Sequence, residues 1–181
     1  MKFPLKSVVR IALMAVVIAA CSWLTIPATV PFTMQTFAIF AVLLIIGGKE
    51  GTAAIGLYLL LGLVGVPVFS GFRGGVQHLI GPTGGYIIGF LLSGLLYLVL
   101  EGPIKKYKWV KWPVMVVGLL LCYLLGTIWF VVVYGMRGTS YGFIEALGLC
   151  VFPYIIPDLL KIGLAALVAG RIRKLIPQLL D

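Results

Sequence analysis

Charge is scarce in this chain: only 10% of its 181 residues are charged, and acids are rarer than bases, five against fourteen. Soluble domains carry about 25% charged residues, so an ordinary soluble fold is excluded. Polar intervals are scarce too, the longest running from Glu101 to Trp112, which leaves no room for a separate soluble domain. Polar and apolar residues do not alternate, as a membrane β-barrel would need. Cysteine occurs three times, at Cys21, Cys122 and Cys150, each in apolar surroundings and none at metal-ligand spacing, so all three read as small buried hydrophobes. Histidine occurs once, His78, and reads as a surface loop residue. Gly-x-x-x-x-Gly-Lys-Ser/Thr, His-Glu-x-x-His, Gly-x-Ser-x-Gly and paired intramembrane aspartates are all missing. Nucleotide hydrolysis by a phosphate loop and common membrane hydrolase chemistry therefore lack their residues, and neither an enzyme nor a metal or cofactor site is expected. Any energy source must come from a partner or an ion gradient.

What remains is apolar. Hydrophobic residues make up 62% of the chain, and the mean hydropathy is +1.18. We read an all-α integral membrane protein, one domain over residues 1–181, forming a compact six-helix bundle. The expected helices cover about 8–26, 35–48, 52–66, 83–100, 113–134 and 153–169. The first is long enough to cross a ~30 Å hydrocarbon core. Lys2, Lys6 and Arg10 ahead of it resemble a signal peptide, and Ile18-Ala19-Ala20-Cys21 a lipoprotein cleavage box. The apolar run continues to Ile26, so retention as a helix is expected. Pro27 and Pro31 break the chain next. A re-entrant hairpin over 35–66 would bury Lys49 and Glu50 at its tip, so two crossings are preferred. Residues 65–85, rich in glycine and proline yet apolar, read as an ordered loop on the bundle. Residues 135–149 read as a mixed connection with room for a short interfacial helix.

The net charge of +9 does not point to nucleic acid, because the bases collect at the ends of apolar segments. With six crossings, eleven of the fourteen bases fall on one side and Arg73 and Arg137 on the other. The positive-inside rule then places both termini in the cytoplasm. The second, fourth and sixth helices start outside, where their unpaired N–H groups favour an anion or a carbonyl-rich ligand. Near those starts lie Gln35 and Thr36, then Gly84, Gly85 and Tyr86, then Tyr154, Asp158 and Lys161. Asp158 and Lys161 are the notable pair. Each charge at membrane depth costs at least ~2.5 kcal/mol, and their spacing puts them on one helical face as mutual partners. A structural ion pair and an outward-facing ligand pocket both remain open. Ala12, Ala15 and Ala19 form a small-residue stripe that lets another helix approach, from this chain or from a partner.

Val30-Pro31-Phe32-Thr33-Met34-Gln35-Thr36, Gly65-Val66-Pro67-Val68-Phe69, Gly81-Pro82-Thr83-Gly84-Gly85-Tyr86 with Gly89-Phe90, and Pro157-Asp158 with Lys161 together resemble the BioY family, in order and over essentially the whole chain. Its members are biotin-binding S components of energy-coupling factor (ECF) transporters. The resemblance departs only slightly, with Ser70-Gly71 where the family has Ala-Gly. It implies a substrate-capture subunit in a prokaryotic plasma membrane, multi-pass, taking biotin from outside as transported ligand. The alanine stripe would dock on a transmembrane coupling subunit carried by two ABC-type ATPase subunits. The ureido head would meet Asp158 through an N–H and Lys161 through its oxygen, since an aspartate beside the ligand carboxylate would repel it. Phe32, Phe69 and Tyr86 would line the apolar body, Gln35 and Thr36 would flank it, and the tail would reach Arg73, Gln77 or glycine N–H groups. The reverse pose stays open, as does a stand-alone carrier or channel for a small solute.

Overall fold

The computed structural model describes residues 4–176; Lys2, assigned above to the basic end, lies outside them. The chain runs α1 (Leu5–Trp23), β1 (Thr25–Ile26), β2 (Phe32–Thr33), α2 (Gln35–Leu63), α3 (Val76–Leu79), α4 (Gly84–Val99), α5 (Glu101–Lys106), a 3-10 turn, α6 (Lys111–Met136), α7 (Phe143–Cys150) and α8 (Phe152–Leu175). Four helical stretches are long and apolar enough to cross a membrane: α1, α2, α6 with the turn before it, and α8; α4 is apolar but shorter.

α2 is the centre of the molecule, packed against α1, α4 and α8. It is apolar on all sides from Ala38 to Ile45, as a helix without a solvent or lipid face must be. It is also not one rod. Gly47 takes φ 83° and ψ 176°, a combination open essentially to glycine alone, and the chain doubles back there. Gln35 Nε2 therefore reaches the Tyr58 hydroxyl at 2.9 Å across 23 positions, a span that a straight helix would stretch to about 35 Å. The expected pause over 49–51 is absent. Helical geometry resumes at once, so Glu50 falls in the first turn of the second arm, where a carboxylate suits the helix dipole.

The α4–α6 seam is built on small residues. A Cβ added at Gly85 would stand 2.3 Å from Trp129 Cβ, and one at Gly89 would stand 2.8 Å from Cys122 Cα. Ser93, one turn further, donates to Gly118 O at 2.7 Å. Close backbone approach of this kind drives helix association where lipid offers no hydrophobic contrast.

Polar contacts define the two ends. Arg10 grips Glu50 through Nε and Nη2 at 2.9 and 2.8 Å, and Ser7 donates to the same carboxylate. Arg173 Nε donates to Ile45 O at 3.2 Å. These bonds gather the start of α1, the Gly47 reversal and the close of α8 at one end with the basic residues. At the other end, Trp23 Nε1 donates to Pro67 O and Trp129 Nε1 to Gly81 O, each at 2.9 Å. They pin the 64–83 loop to α1 and α6. The Pro27–Pro31 break is more ordered than expected: it is the turn of a two-stranded antiparallel hairpin pairing Thr25 with Thr33 and Ile26 with Phe32.

Candidate functional site

α8 opens with Pro153 in its first turn, where a missing N–H costs nothing, and carries Pro157 one turn later. Asp158 and Lys161 follow, facing inward, 5% and 6% exposed. Lys161 Nζ donates to Asp158 Oδ1 at 2.8 Å and to Thr33 O in β2 at 2.7 Å. It also stands 3.8 Å from the centroid of the Phe32 ring. The other carboxylate oxygen, Oδ2, accepts from the Tyr123 hydroxyl of α6 at 2.7 Å. Tyr154 stacks on Phe32, with centroids 6.1 Å apart, and its hydroxyl donates to Val30 O. The pair thus joins α6, α8 and the hairpin. Removing one partner of such a buried pair costs about 3–5 kcal/mol, because the other charge is left uncompensated.

The pair borders a small cavity walled by residues of the hairpin, α2, α4, α6 and α8. Gln35, Thr36, Tyr86, Tyr154, Asp158 and Lys161, all singled out from the sequence, meet in its wall. Ile87, Phe90 and Leu119 supply the apolar side, with Cys122 and Cys150. Above it lies a wider vestibule that shares Pro31, Ser70 and Thr83 with the inner cavity. Arg73, Gln77 and Arg137 line this vestibule and not the inner chamber. Chemically, the inner chamber offers the free lone pairs of a carboxylate beside an ammonium. It suits a neutral group that presents N–H donors and a carbonyl together.

Several expected contacts fall elsewhere. Phe69 does not line the cavity. It is fully buried under the loop, edge-on to Tyr58 at 5.5 Å and packed into the space left by Gly62. Its apolar neighbours in sequence made it look like a wall residue, but the glycine opposite it makes a core socket. Gly84 and Gly85 are contact points, with Leu79 O 1.6 Å and Trp129 Cβ 2.3 Å from an added Cβ. Ala15 and Ala19 turn inward and are 1% and 4% exposed, whereas Ala12 is exposed. Tyr123 went unnoticed in the sequence. The available signal was Tyr123 with Thr127, two hydroxyls one turn apart in an apolar helix, where Thr127 meets the Tyr86 hydroxyl at 3.2 Å. Among the described residues no cluster of His, Cys, Asp and Glu is suited to a metal ion.

A sequence profile of the BioY family matches residues 1–178. The chain belongs to the BioY family. It is 36% identical over 172 residues to the biotin transporter BioY of Thermotoga maritima, covering 94% of this chain and 98% of that one. It is 42% identical over 126 residues to the biotin transporter BioY2 of Lactococcus lactis, covering 69% of each. The fold is similar to a crystal structure of the S-component for biotin from an ECF-type ABC transporter, with a TM-score of 0.79 and 27% identity over 93% of this chain and 91% of that one. With its apolar helices and its transporter relatives, this BioY-family chain is a membrane protein.

His78, expected at the surface, is half-buried instead. Its ring stacks on Phe69 at 5.1 Å, and Nε2 has no partner among the described residues. Burial, and then the Arg73 charge, hold the imidazole below its ordinary value of 6.5. The unfolded chain thus takes up a proton more readily than the folded one, so stability is full above pH 6.5 and falls as the pH drops below it. The thermal midpoint of the detergent-purified protein should fall between pH 7.5 and 5, and His78→Gln should flatten that decline; an equal decline in both would contradict the assignment.

Proposed function

We propose that this chain captures biotin and serves as the substrate-specific subunit of an ECF-type transporter. Family membership and the names of its relatives support the ligand. The observation that carries the reading is the buried Asp158–Lys161 pair bordering a cavity with an otherwise largely apolar wall. Biotin's ureido head has two N–H donors and one carbonyl. Asp158 accepts from an N–H and Lys161 donates to the oxygen, so both charges are answered by one neutral group. The apolar bicycle lies along Ile87, Phe90, Leu119 and Tyr86, with Gln35 and Thr36 at its flank. The carboxylated tail points to the vestibule, where Arg73 and Arg137 compensate its charge and the Gln77 amide can donate to it. No reacting group is required of the protein, whose task is transport and not catalysis.

The membrane arrangement follows from the charges. α1, the two arms of α2, α4, α6 and α8 make six crossings, and the end rich in Lys and Arg faces the cytoplasm of a prokaryotic cell. Both termini then lie inside, and the cavity opens outward. A transmembrane coupling subunit with two ABC-type ATPases supplies the driving force. Docking uses the exposed side of α1 around Ala12. Ala15 and Ala19 hold that helix against α2 from within, which leaves Ala12 as the stripe's outward member.

Titration by calorimetry tests the pocket: Asp158→Asn and Lys161→Met should each weaken biotin binding by ~2 kcal/mol or more, and near-wild-type affinity in folded variants would sink the assignment. A bulky Ala12→Trp should leave biotin binding intact while abolishing copurification with the coupling subunit and ATP-driven uptake. Full uptake by that variant would remove α1 from the docking surface.

A further inference from the structure

The basic end holds a cleft that shares no lining residue with the polar chamber. It exists because α6 packs on α4 and α8 packs on α2, leaving a gap between α6 and α8 at that end. Lys105, Lys108, Lys111 and Arg173 border it. Glu101, the one acid in the lining, is already paired with Lys105 at 3.2 Å. Arg173 gives Nε to Ile45 O at 3.2 Å, which fixes the guanidinium at the rim. The charge balance of the cleft is therefore strongly positive.

Its walls are of the opposite character. Ile104 and Ala169 are buried, and Ala166 is half-buried. With Leu44 and the ring of Tyr97 they line an apolar channel within the cleft, beside the charged rim. Depth is marked by Trp109 and Trp112, 68% and 43% exposed, which flank the lysines. Lys111 Nζ lies 5.2 Å from the Trp112 ring centroid. Exposed tryptophans at the end of an apolar helix mark the membrane–water boundary, so the cations stand at head-group level. A charged rim at that level above an apolar channel matches an amphiphile, whereas a free anion would leave the channel unfilled. Basic pockets between membrane helices are suited to anionic lipid head groups.

We propose that this cleft binds an anionic phospholipid, its phosphate held by Lys108, Lys111 and Arg173 and an acyl chain lying along Ala166 and Ala169. Native mass spectrometry of the full-length protein, titrated in detergent with phosphatidylglycerol or phosphatidylcholine, tests it. Phosphatidylglycerol should be retained about tenfold better, and excess inorganic phosphate should not displace it. Lys108→Gln/Lys111→Gln should abolish the preference, whereas Lys6→Gln/Lys174→Gln, with the same charge loss outside the cleft, should keep it. Circular dichroism and a monodisperse elution profile establish folding. If the double variant misfolds, Lys108→Gln alone, on an exposed connection, should lower the preference about fivefold. Equal retention of both lipids, equal losses in both double variants, an unchanged preference in Lys108→Gln, or displacement by inorganic phosphate would each overturn the assignment.

Discussion

A charge in an apolar interior must be paired and hydrogen-bonded, and this constraint shapes the half of the molecule away from its basic end. Asp158 and Lys161 answer each other first, at 2.8 Å. The remaining needs recruit Tyr123 from α6, the Thr33 carbonyl from β2 and the face of Phe32. α6 packs chiefly on α4 and α8 chiefly on α2, and the hydrogen bond from Tyr123 to Asp158 joins them across the cavity. The hairpin is fixed above by the same ammonium. Such an arrangement is strong only while complete. A ligand entering it must match the geometry of both charges, and in that requirement selectivity arises.

The rest of the fold keeps that arrangement in place. α2 doubles back at Gly47 and offers its neighbours two packed arms, the first apolar on all sides from Ala38 to Ile45. α1 is clamped to it at one end by Arg10 on Glu50, and at the other Ser22 and Trp23 hold the loop over 64–83. α4 meets α6 through small residues, which lets Tyr86 fit against Gly126 and face the cavity. Polar features divide along the axis of the bundle: the Asp158–Lys161 chamber at one end, a basic rim with its cleft at the other.

Much of this was legible in the sequence because membrane burial makes each polar residue conspicuous. Asp158 and Lys161 stand out in an apolar run, and their spacing alone places them on one helical face. Gln35, Thr36, Tyr86 and Tyr154 could be gathered from helix direction. Other features depend on long-range packing, which periodicity does not carry. Phe69 looks like a wall residue until Gly62 is seen opposite it. Ala15 and Ala19 look available for docking until α2 covers them. Tyr123 was hidden because tyrosine in an apolar helix is unremarkable until its hydroxyl meets a buried carboxylate. The single-residue reversal at Gly47 was placed a few positions late, since Lys49 and Glu50 resemble a turn and instead begin a helix.

In the proposed pose the acid and base recognise a neutral ureide while the ligand's own charge stays at the rim. Affinities of the purified protein for biotin, its methyl ester and a ureide-N-methylated analogue bear on it most directly. The account predicts that the ester binds within about tenfold of biotin, because its loss falls on the solvated vestibule. The N-methylated ureide should lose at least about a hundredfold, because its methyl group replaces the N–H that Asp158 accepts from and crowds the carboxylate. The reverse order, with the ester crippled and the blocked ureide tolerated, would place the carboxylate on Lys161 and contradict the account.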